Sequence, residues 1–520
     1  MKPPELPGDR QAGFRRERLA AFGFSSGLLT LSFGLVTLVP LLLLLAFPQE
    51  RALAPAFWLP GGASVAFGLA LLVTCRRGRR YALNLTDGAA IVTAIWLYAG
   101  LVGSVPFIIG ARAHFLHGLF ESVSGITTTG LSVFDVRGLP QLLLFWRSWL
   151  QFLGGAGFAI VMLAAIVGPF APALSVAEGH SDPLLPHVRK SAGMFMFLYA
   201  GYSAAGIAAY VLAGMAPFEA VCHAFSALST GGFSTRAGSI GEFGNAGIEL
   251  ITIALMLAGA TSFTLHHALW RGRVRAVGRN GELRLAGVVL AGSFLLVAVG
   301  TVGRLGLGFV DSARVALFET ASALTTTGYS ITGYAPWNGL GIFVLIILMT
   351  VGGAVSSTAG GVKQYRVYLL FKSVVWDIRR RFLPRNAVVH YSVWRGGTQA
   401  TIVDQDLRRV AGFVFLYLAT YVAGVLVLLG AGCSVQEALF EFASALATTG
   451  LSVGVTGPGT APAILWAEIG GMFLGRLEFL VVLVGLVRVG RGLADYLRRR
   501  NRRRVEPRPG PAPSPDEGEV

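Results

Sequence analysis

The sequence predicts an all-α integral membrane fold in which four pseudo-symmetric helix–pore loop–helix repeats surround one central pore, with two extra transmembrane helices at the N-terminus. Three observations predict it. Hydrophobic residues make up 54% and charged residues 13% of the 520 positions, and the mean hydropathy of +0.64 is far from that of a soluble protein. Apolar stretches of the roughly 20 residues needed to span a bilayer recur along the chain. Between them stand four near-copies of one motif: Ser124-Gly-Ile-Thr-Thr-Thr-Gly130-Leu-Ser132, Ser226-Ala-Leu-Ser-Thr-Gly-Gly232-Phe-Ser234, Ser322-Ala-Leu-Thr-Thr-Thr-Gly328-Tyr-Ser330 and Ser444-Ala-Leu-Ala-Thr-Thr-Gly450-Leu-Ser452. Repetition of this kind sets the architecture before any single residue is read.

An N-terminal pair over residues 1–80 holds helices at 22–47 and 55–75. The first of these is too long for a signal-peptide core and reads as a retained helix. Repeat one covers 81–170, with an outer helix at 84–110, a re-entrant segment at 113–134 and a second helix at 140–168. Repeat two covers 187–276, with the corresponding parts at 191–214, 217–236 and 245–270. Repeat three covers 280–385, with 284–306, 311–332 and a long second element from 338. Repeat four covers 404–500, with 407–430, 435–453 and 462–490. That makes ten spanning helices and four re-entrant loops, with a Pro-rich disordered tail at 505–520.

The formal net charge of +16 resembles a nucleic-acid signal, but its distribution does not. The basic clusters Arg15–Arg18, Arg76–Arg80, Arg189–Lys190, Arg271–Arg284, Lys363–Arg385 and Arg488–Arg504 fall at every second boundary of the spanning pattern. That is the bias expected of cytoplasmic loops, and it puts both termini in the cytoplasm. No nucleic-acid partner is expected; the partner is the lipid bilayer. Cys75, Cys222 and Cys433 are too far apart to outline a metal site or a disulfide framework.

The middle segment of each repeat is too polar and too short to span, and non-helical backbone survives at membrane depth only against protein or a water-filled cavity. An ordinary polar loop is the alternative, which four matching copies disfavour. Removing water from an alkali cation requires replacement oxygens, which carbonyls and Thr hydroxyls supply without a fixed negative charge. The candidate ligands are Thr128, Thr129, Gly130, Thr230, Gly231, Gly232, Thr326, Thr327, Gly328, Thr448, Thr449 and Gly450. The glycines permit backbone angles closed to other residues. Nine residues before each ring glycine stands Glu121, His223, Glu319 or Glu441, expected to anchor the loop. The half-helix directs its negative C-terminal dipole at the same place.

Residues 338–382 are too many for one span, and Gly352–Gly361 is a run of small residues in their middle. Such a run is either a small-residue packing face or an unwound loop facing a cavity. Arg476 lies near the centre of an apolar span, where a charge costs about 2.5–3.5 kcal/mol. It either pairs with Glu468 or Glu478 or projects into the pore; Arg147 is expected to pair with a pore-helix Glu.

From about residue 20 to 495 the chain resembles the Trk/Ktr/HKT superfamily of potassium transporters, in its Trk-type (TrkH/TrkG) membrane-subunit branch. Besides the four motifs, the resemblance is carried by Arg147-Ser-Trp-Leu-Gln-Phe-Leu-Gly-Gly155, Ser262-Phe-Thr-Leu-His266-His267, Gly352-Gly-Ala-Val-Ser-Ser-Thr-Ala-Gly-Gly361-Val-Lys363 and Gly475-Arg476-Leu-Glu478. The N-terminal helix pair is similar to the Trk branch. The resemblance implies a non-enzymatic potassium uptake protein of the cell inner membrane, a homodimer gated by a cytoplasmic nucleotide-binding (TrkA-like) subunit. It implies potassium in the filter, a gate at Gly352, Gly353, Ser356, Ser357, Thr358, Gly360, Gly361 and Lys363, and Arg476 as a barrier to cations. Gly130, where sodium-transporting plant relatives carry serine, favours potassium. Gly231 departs from the Thr of the other repeats, and a more flexible strand is expected there. The basic segments 271–284 and 363–385 are expected as exposed docking loops for the partner. A sodium-selective or non-selective cation transporter of the same fold is the alternative. A membrane redox or haem subunit is a remote one, because the histidines (His114, His117, His180, His187, His266, His267 and His390 among them) form no facing pair.

Overall fold

The computed structural model describes residues 7–80, 85–157, 188–305, 308–384, 391–395, 398–477, 479, 481–488 and 490. The expected helix segment 158–168, His180, His187, His390, Glu478 and the tail 505–520 lie outside the described residues.

Four pore helices, Phe115–Ile126, Pro217–Leu228, Phe309–Leu324 and Val435–Leu446, each lead into one copy of the repeated motif. Outer helices precede them at Leu85–Gly110, Val188–Leu212, Gly281–Leu305 and Asp404–Gly430. Second helices follow at Gln141–Gly155, Ala246–Ala260, Gly339–Val351 and Pro462–Leu477. Several starts are capped as their sequences dictate: Asn245 and Asn338 accept from backbone N–H groups of the first turn, and Ser434 forms a capping box with Glu437.

The packing closes into a ring. Pore helix one buries Leu119, Phe120 and Val123 against Leu465, Ile469 and Met472 of the repeat-four second helix. In pore helix two, Phe225 lies against Phe152 of repeat one, ring centroids 4.3 Å apart. Phe318 and Ala321 of pore helix three share a core with Ile248 and Met256 of repeat two. Finally, Phe440 and Ala443 of pore helix four share one with Leu345 and Met349 of repeat three. Every pore helix thus packs on the second helix of the repeat before it. Each fully buried Phe or Leu at these seams stabilises the ring by about 1.5–3 kcal/mol.

Ten spanning helices were expected, and the described residues, which leave out 158–187, give fewer that pass by length and composition. Six helices are long and apolar enough to cross a membrane by length and composition, or eight if each bent pair is one span. The difference lies in the second helices. Ala246–Ala260 meets Phe263–Trp270 at 104°. The backbone freed by this break is re-satisfied by His266, whose Nε2 donates to the Ala258 carbonyl at 2.9 Å while Nδ1 accepts from the Tyr202 hydroxyl at 3.0 Å. Gly339–Val351 stops after 13 residues, where Gly352 takes φ +70°. The first helix, Pro7–Thr37, gives way to 3-10 turns at Val39–Leu45 and Pro48–Leu53, since Pro40 and Pro48 remove donors.

The basic segment 363–385 is a helix, Gln364–Arg380, where a loop was expected. Against it packs an antiparallel hairpin, Ser392–Arg395 with Thr398–Thr401, which buries Val393 on Leu369. The sequence reading missed the hairpin, although Gly396-Gly397 between two short β-prone runs is its usual signal.

Candidate functional site

Each pore helix ends in the same way. Thr128, Thr230, Thr326 and Thr448 have φ of +58°, +52°, +51° and +52°. The next residue's N–H returns to the carbonyl five residues back: Thr129 to Ser124 at 2.8 Å, Gly231 to Ser226 at 2.8 Å, Thr327 to Ser322 at 3.0 Å and Thr449 to Ser444 at 2.8 Å. This is a Schellman termination with the left-handed residue at C′, a place usually taken by glycine. A β-branched residue there is an outlier, held at about 1–3 kcal/mol apiece by surroundings that over-determine it. The result is one threonine hydroxyl at the negative end of each of four helix dipoles.

Two residues later the backbone turns left-handed again, at Gly130, Gly232, Gly328 and Gly450 with φ between +76° and +93°. A Cβ on Gly130 would strike the carbonyl oxygen of Gly231. On Gly232 it would strike Thr327 O, on Gly328 Thr449 O, and on Gly450 Thr129 O. The contacts run from repeat one to two to three to four and back to one. The structure therefore brings eight of the sequence-predicted residues, Thr129, Gly130, Gly231, Gly232, Thr327, Gly328, Thr449 and Gly450, into one closed ring of contacts, while Thr128, Thr230, Thr326 and Thr448 directly precede it in each strand. The glycines are required both by φ and by the approach of the neighbouring strand.

The residue nine places before each ring glycine is an acceptor for the serine two places after it. Ser132 donates to Glu121 at 2.9 Å, Ser330 to Glu319 at 2.9 Å and Ser452 to Glu441 at 2.6 Å. In repeat two the imidazole of His223 donates from Nδ1 to the Glu219 carbonyl at 2.8 Å, which leaves Nε2 to accept from Ser234 at 2.9 Å. The carboxylates also take backbone N–H groups of Val133, Ile331 and Val453. Arg147 donates from Nε to Glu121 at 2.7 Å and from a terminal nitrogen to Ser234 O at 2.9 Å, pairing with a pore-helix Glu as expected and joining repeats one and two.

Gly231 does not loosen its strand. Gln151, on the repeat-one second helix and fully buried, donates from Nε2 to Gly231 O at 2.5 Å and accepts at Oε1 from Phe233 N at 3.1 Å. Tyr329 of repeat three donates to Phe233 O at 3.0 Å from the other side. The expected flexibility is overturned because neighbouring repeats supply the contacts that the missing side chain does not.

Residues 352–363, which join Gly339–Val351 to Gln364–Arg380, form an irregular loop at the Thr end of the ring. Gly352, Ser356, Gly361 and Lys363 are left-handed, with φ of +70°, +58°, +75° and +80°. Gly360 N donates to Thr326 Oγ1 at 2.7 Å, and Thr230 Oγ1 donates to Thr358 Oγ1 at 3.1 Å. A Cβ on Gly360 would collide with Ala447 O, so the loop is pressed against repeat four as well. Ala354 N and Thr358 N donate to Ala260 O and Gly259 O at 2.9 and 3.1 Å, while the Lys363 ammonium turns back to Ala359 O. Gly353 and Ser357 lie within this fold of chain, Ser357 donating to Ala354 O at 2.6 Å. Arg476 donates to Thr358 O at 2.6 Å and to Gly154 O at 2.5 Å. Glu468, about 12 Å of helix rise away, instead accepts from Thr456 Oγ1 at 2.9 Å. The loop and Arg476 thus meet at the ring, and Arg476 bridges loop and repeat one. Among the described residues, no group of three or more His, Cys, Asp or Glu is placed to hold a metal.

Comparison with known proteins agrees with this fold. Residues 54–489 match the family model TrkH, described as cation transport protein. The chain is 31% identical over 471 residues to the Trk system potassium uptake protein TrkH of Halomonas elongata, covering 88% of this chain and 96% of that protein. It is 33% identical over 423 residues to the Trk system potassium uptake protein TrkG of Escherichia coli, covering 77% and 84%. The crystal structure of the potassium transporter TrkH from Vibrio parahaemolyticus superposes with a TM-score of 0.79 at 29% identity, over 90% of this chain and 98% of that one. Family members are transporters and not enzymes, which sets the redox and haem alternative aside. The chain belongs to the TrkH family of cation transport proteins, multi-pass proteins of the membrane.

Proposed function

We propose that this chain takes up potassium across the cell membrane through the four-strand ring, with the 352–361 loop as its gate and Arg476 as the electrostatic barrier beside it. One observation carries the reading: four strands close into a ring whose glycines abut carbonyl oxygens of the next strand, each strand entered through a left-handed threonine. Such a ring replaces a cation's hydration shell with neutral oxygens. The names of the relatives at about 30% identity support potassium as the cation. Thr128 Oγ1 and Thr448 Oγ1, buried and without a hydrogen-bond partner among the described residues, are then ligands for the ion leaving the ring on the loop side. The protein sits in the inner membrane as a homodimer with both termini cytoplasmic, and a TrkA-like nucleotide-binding subunit docks on 271–284 and on helix Gln364–Arg380.

The test is rubidium flux into vesicles reconstituted with the purified chain, with and without a proton gradient and against competing sodium. Rubidium uptake that potassium suppresses and sodium does not is expected. Equal suppression by sodium would favour a non-selective transporter, and no flux from correctly inserted protein, with or without the regulatory subunit, would sink the reading.

A further inference from the structure

We propose that Gln151 is a positioning and specificity-determining residue of the cation ring, and that residue 231 is glycine because the Gln151 side chain occupies the space any larger residue would need. The inference rests on the ring being the ion pathway. A Cβ at Gly231 would run into the Gln151 side-chain amide. Both ends of that amide are used, Nε2 on Gly231 O and Oε1 on Phe233 N, so its orientation is fixed by its partners. Gly231 O is itself a ring atom, the one that a Cβ on Gly130 would strike.

Repeats one and three stiffen the same position differently. Thr129 is held by Thr127, hydroxyl to hydroxyl at 2.8 Å, and Thr327 by Thr325 at 2.8 Å. Repeat two has Ser229 and Gly231 there, and the Ser229 hydroxyl turns to Ser226 O instead. An amide from the neighbouring repeat does the work of the absent pair. Among the described residues, Gly231 is the ring carbonyl that accepts from a side-chain N–H. A carbonyl oxygen has two lone pairs; the amide takes one and fixes the direction of the other. The repeat-two carbonyl thus cannot swing to follow a smaller ion, and its pull on the ion differs from those of its three counterparts. Rigidity at this point sets the size of the cation the ring accepts.

The experiment is rubidium flux with sodium competition in vesicles holding the full-length chain. The variants are Gln151→Leu, which keeps the bulk and removes both bonds, Gly231→Thr, and the double variant Gln151→Gly/Gly231→Thr, which also removes the Gln151 Cβ that would meet one at 231. For Gln151→Leu, half-saturation by rubidium rises roughly five-fold, the order one hydrogen bond commands, and sodium competes better. Gly231→Thr is impaired more severely, and the double variant recovers much of the loss because the side chain now has room. Unchanged half-saturation and selectivity in a monodisperse Gln151→Leu protein would overturn the inference. Should that variant not insert, a double variant no better than Gly231→Thr alone would do so. Absence of flux in the wild type would instead strike at the ring as ion pathway, so the two failures are distinguishable.

Discussion

The ring strands of repeats two and four differ in a way opposite to their sequences. Repeat two is the divergent copy, with Gly231 for Thr, Ser229 for Thr and His223 for Glu. Yet side chains from its neighbours hold it: Gln151 and Arg147 from repeat one, and Tyr329 from repeat three. Repeat four keeps both threonines and the glutamate, and its strand is held by its own Glu441 and Ser444. Ala447 replaces the threonine that would pair with Thr449, and Thr448 and Thr449 hydroxyls have no partner among the described residues. Divergence in a pseudo-symmetric ring therefore marks where a neighbour has taken over a contact, and similarity alone says little about stiffness.

The largest break in this comparison comes at Arg147. Replacing it by methionine leaves Glu121 buried with no cation, and breaking a buried pair from one side costs about 3–5 kcal/mol. Arg147→Met lowers the unfolding temperature of the detergent-solubilised protein, and Arg147→Met/Glu121→Gln restores most of it. A single variant as stable as the wild type would mean that the buried Arg147–Glu121 pair, and the bridge from Arg147 to Ser234 O, do not stabilise the ring.

A smaller break comes at the loop, which hydrogen-bonds the C′ threonines of repeats two and three. Thr358→Val removes the hydroxyl that reaches Thr230 Oγ1, Leu228 O and Gly259 O at 3.1, 3.1 and 2.9 Å. The backbone bond from Thr358 N and the Arg476 contact remain. Weakening the loop on the repeat-two side raises basal rubidium flux roughly five-fold, the worth of about one hydrogen bond. Flux unchanged at wild-type stability would separate the loop from the gate.

Much of this arrangement was legible in the chain, and what was not has physical reasons. Four copies of one motif announced the ring, and the Glu or His nine places before each glycine announced an anchor, because both repeat in register. The left-handed threonines were hidden, since C′ normally selects glycine and a β-branched residue there goes against local preference. Gln151 was hidden too: it stands inside a quoted motif, but one amide on an apolar helix gives no hint of the strand it meets, 80 residues on, at Gly231. The bend at Thr261-Ser262 contains neither glycine nor proline, so no breaker marks it. It comes from Thr358 and Ala354 docking their N–H groups on Gly259 and Ala260, a tertiary cause.

The finest distinction is between Thr327 and Thr449, the same residue at the same place in consecutive repeats. Thr327 shares a hydroxyl bond with Thr325 at 2.8 Å, whereas Thr449 faces Ala447. Both are fully buried, so solvent cannot replace a lost partner in either case. Thr327→Val strands the Thr325 hydroxyl partly, since it still reaches Ala321 O at 2.7 Å, and costs about 1 kcal/mol. Thr449→Val exchanges an unpartnered hydroxyl for a methyl and changes stability by less than about 0.5 kcal/mol or raises it, because a buried polar group without a bond is itself destabilising. Urea or thermal unfolding in detergent resolves the two. An equal loss for both valines would show that Thr449 has a partner in the folded ring, with a bound cation as the first candidate, and repeating the pair without potassium would then erase the Thr449 effect alone.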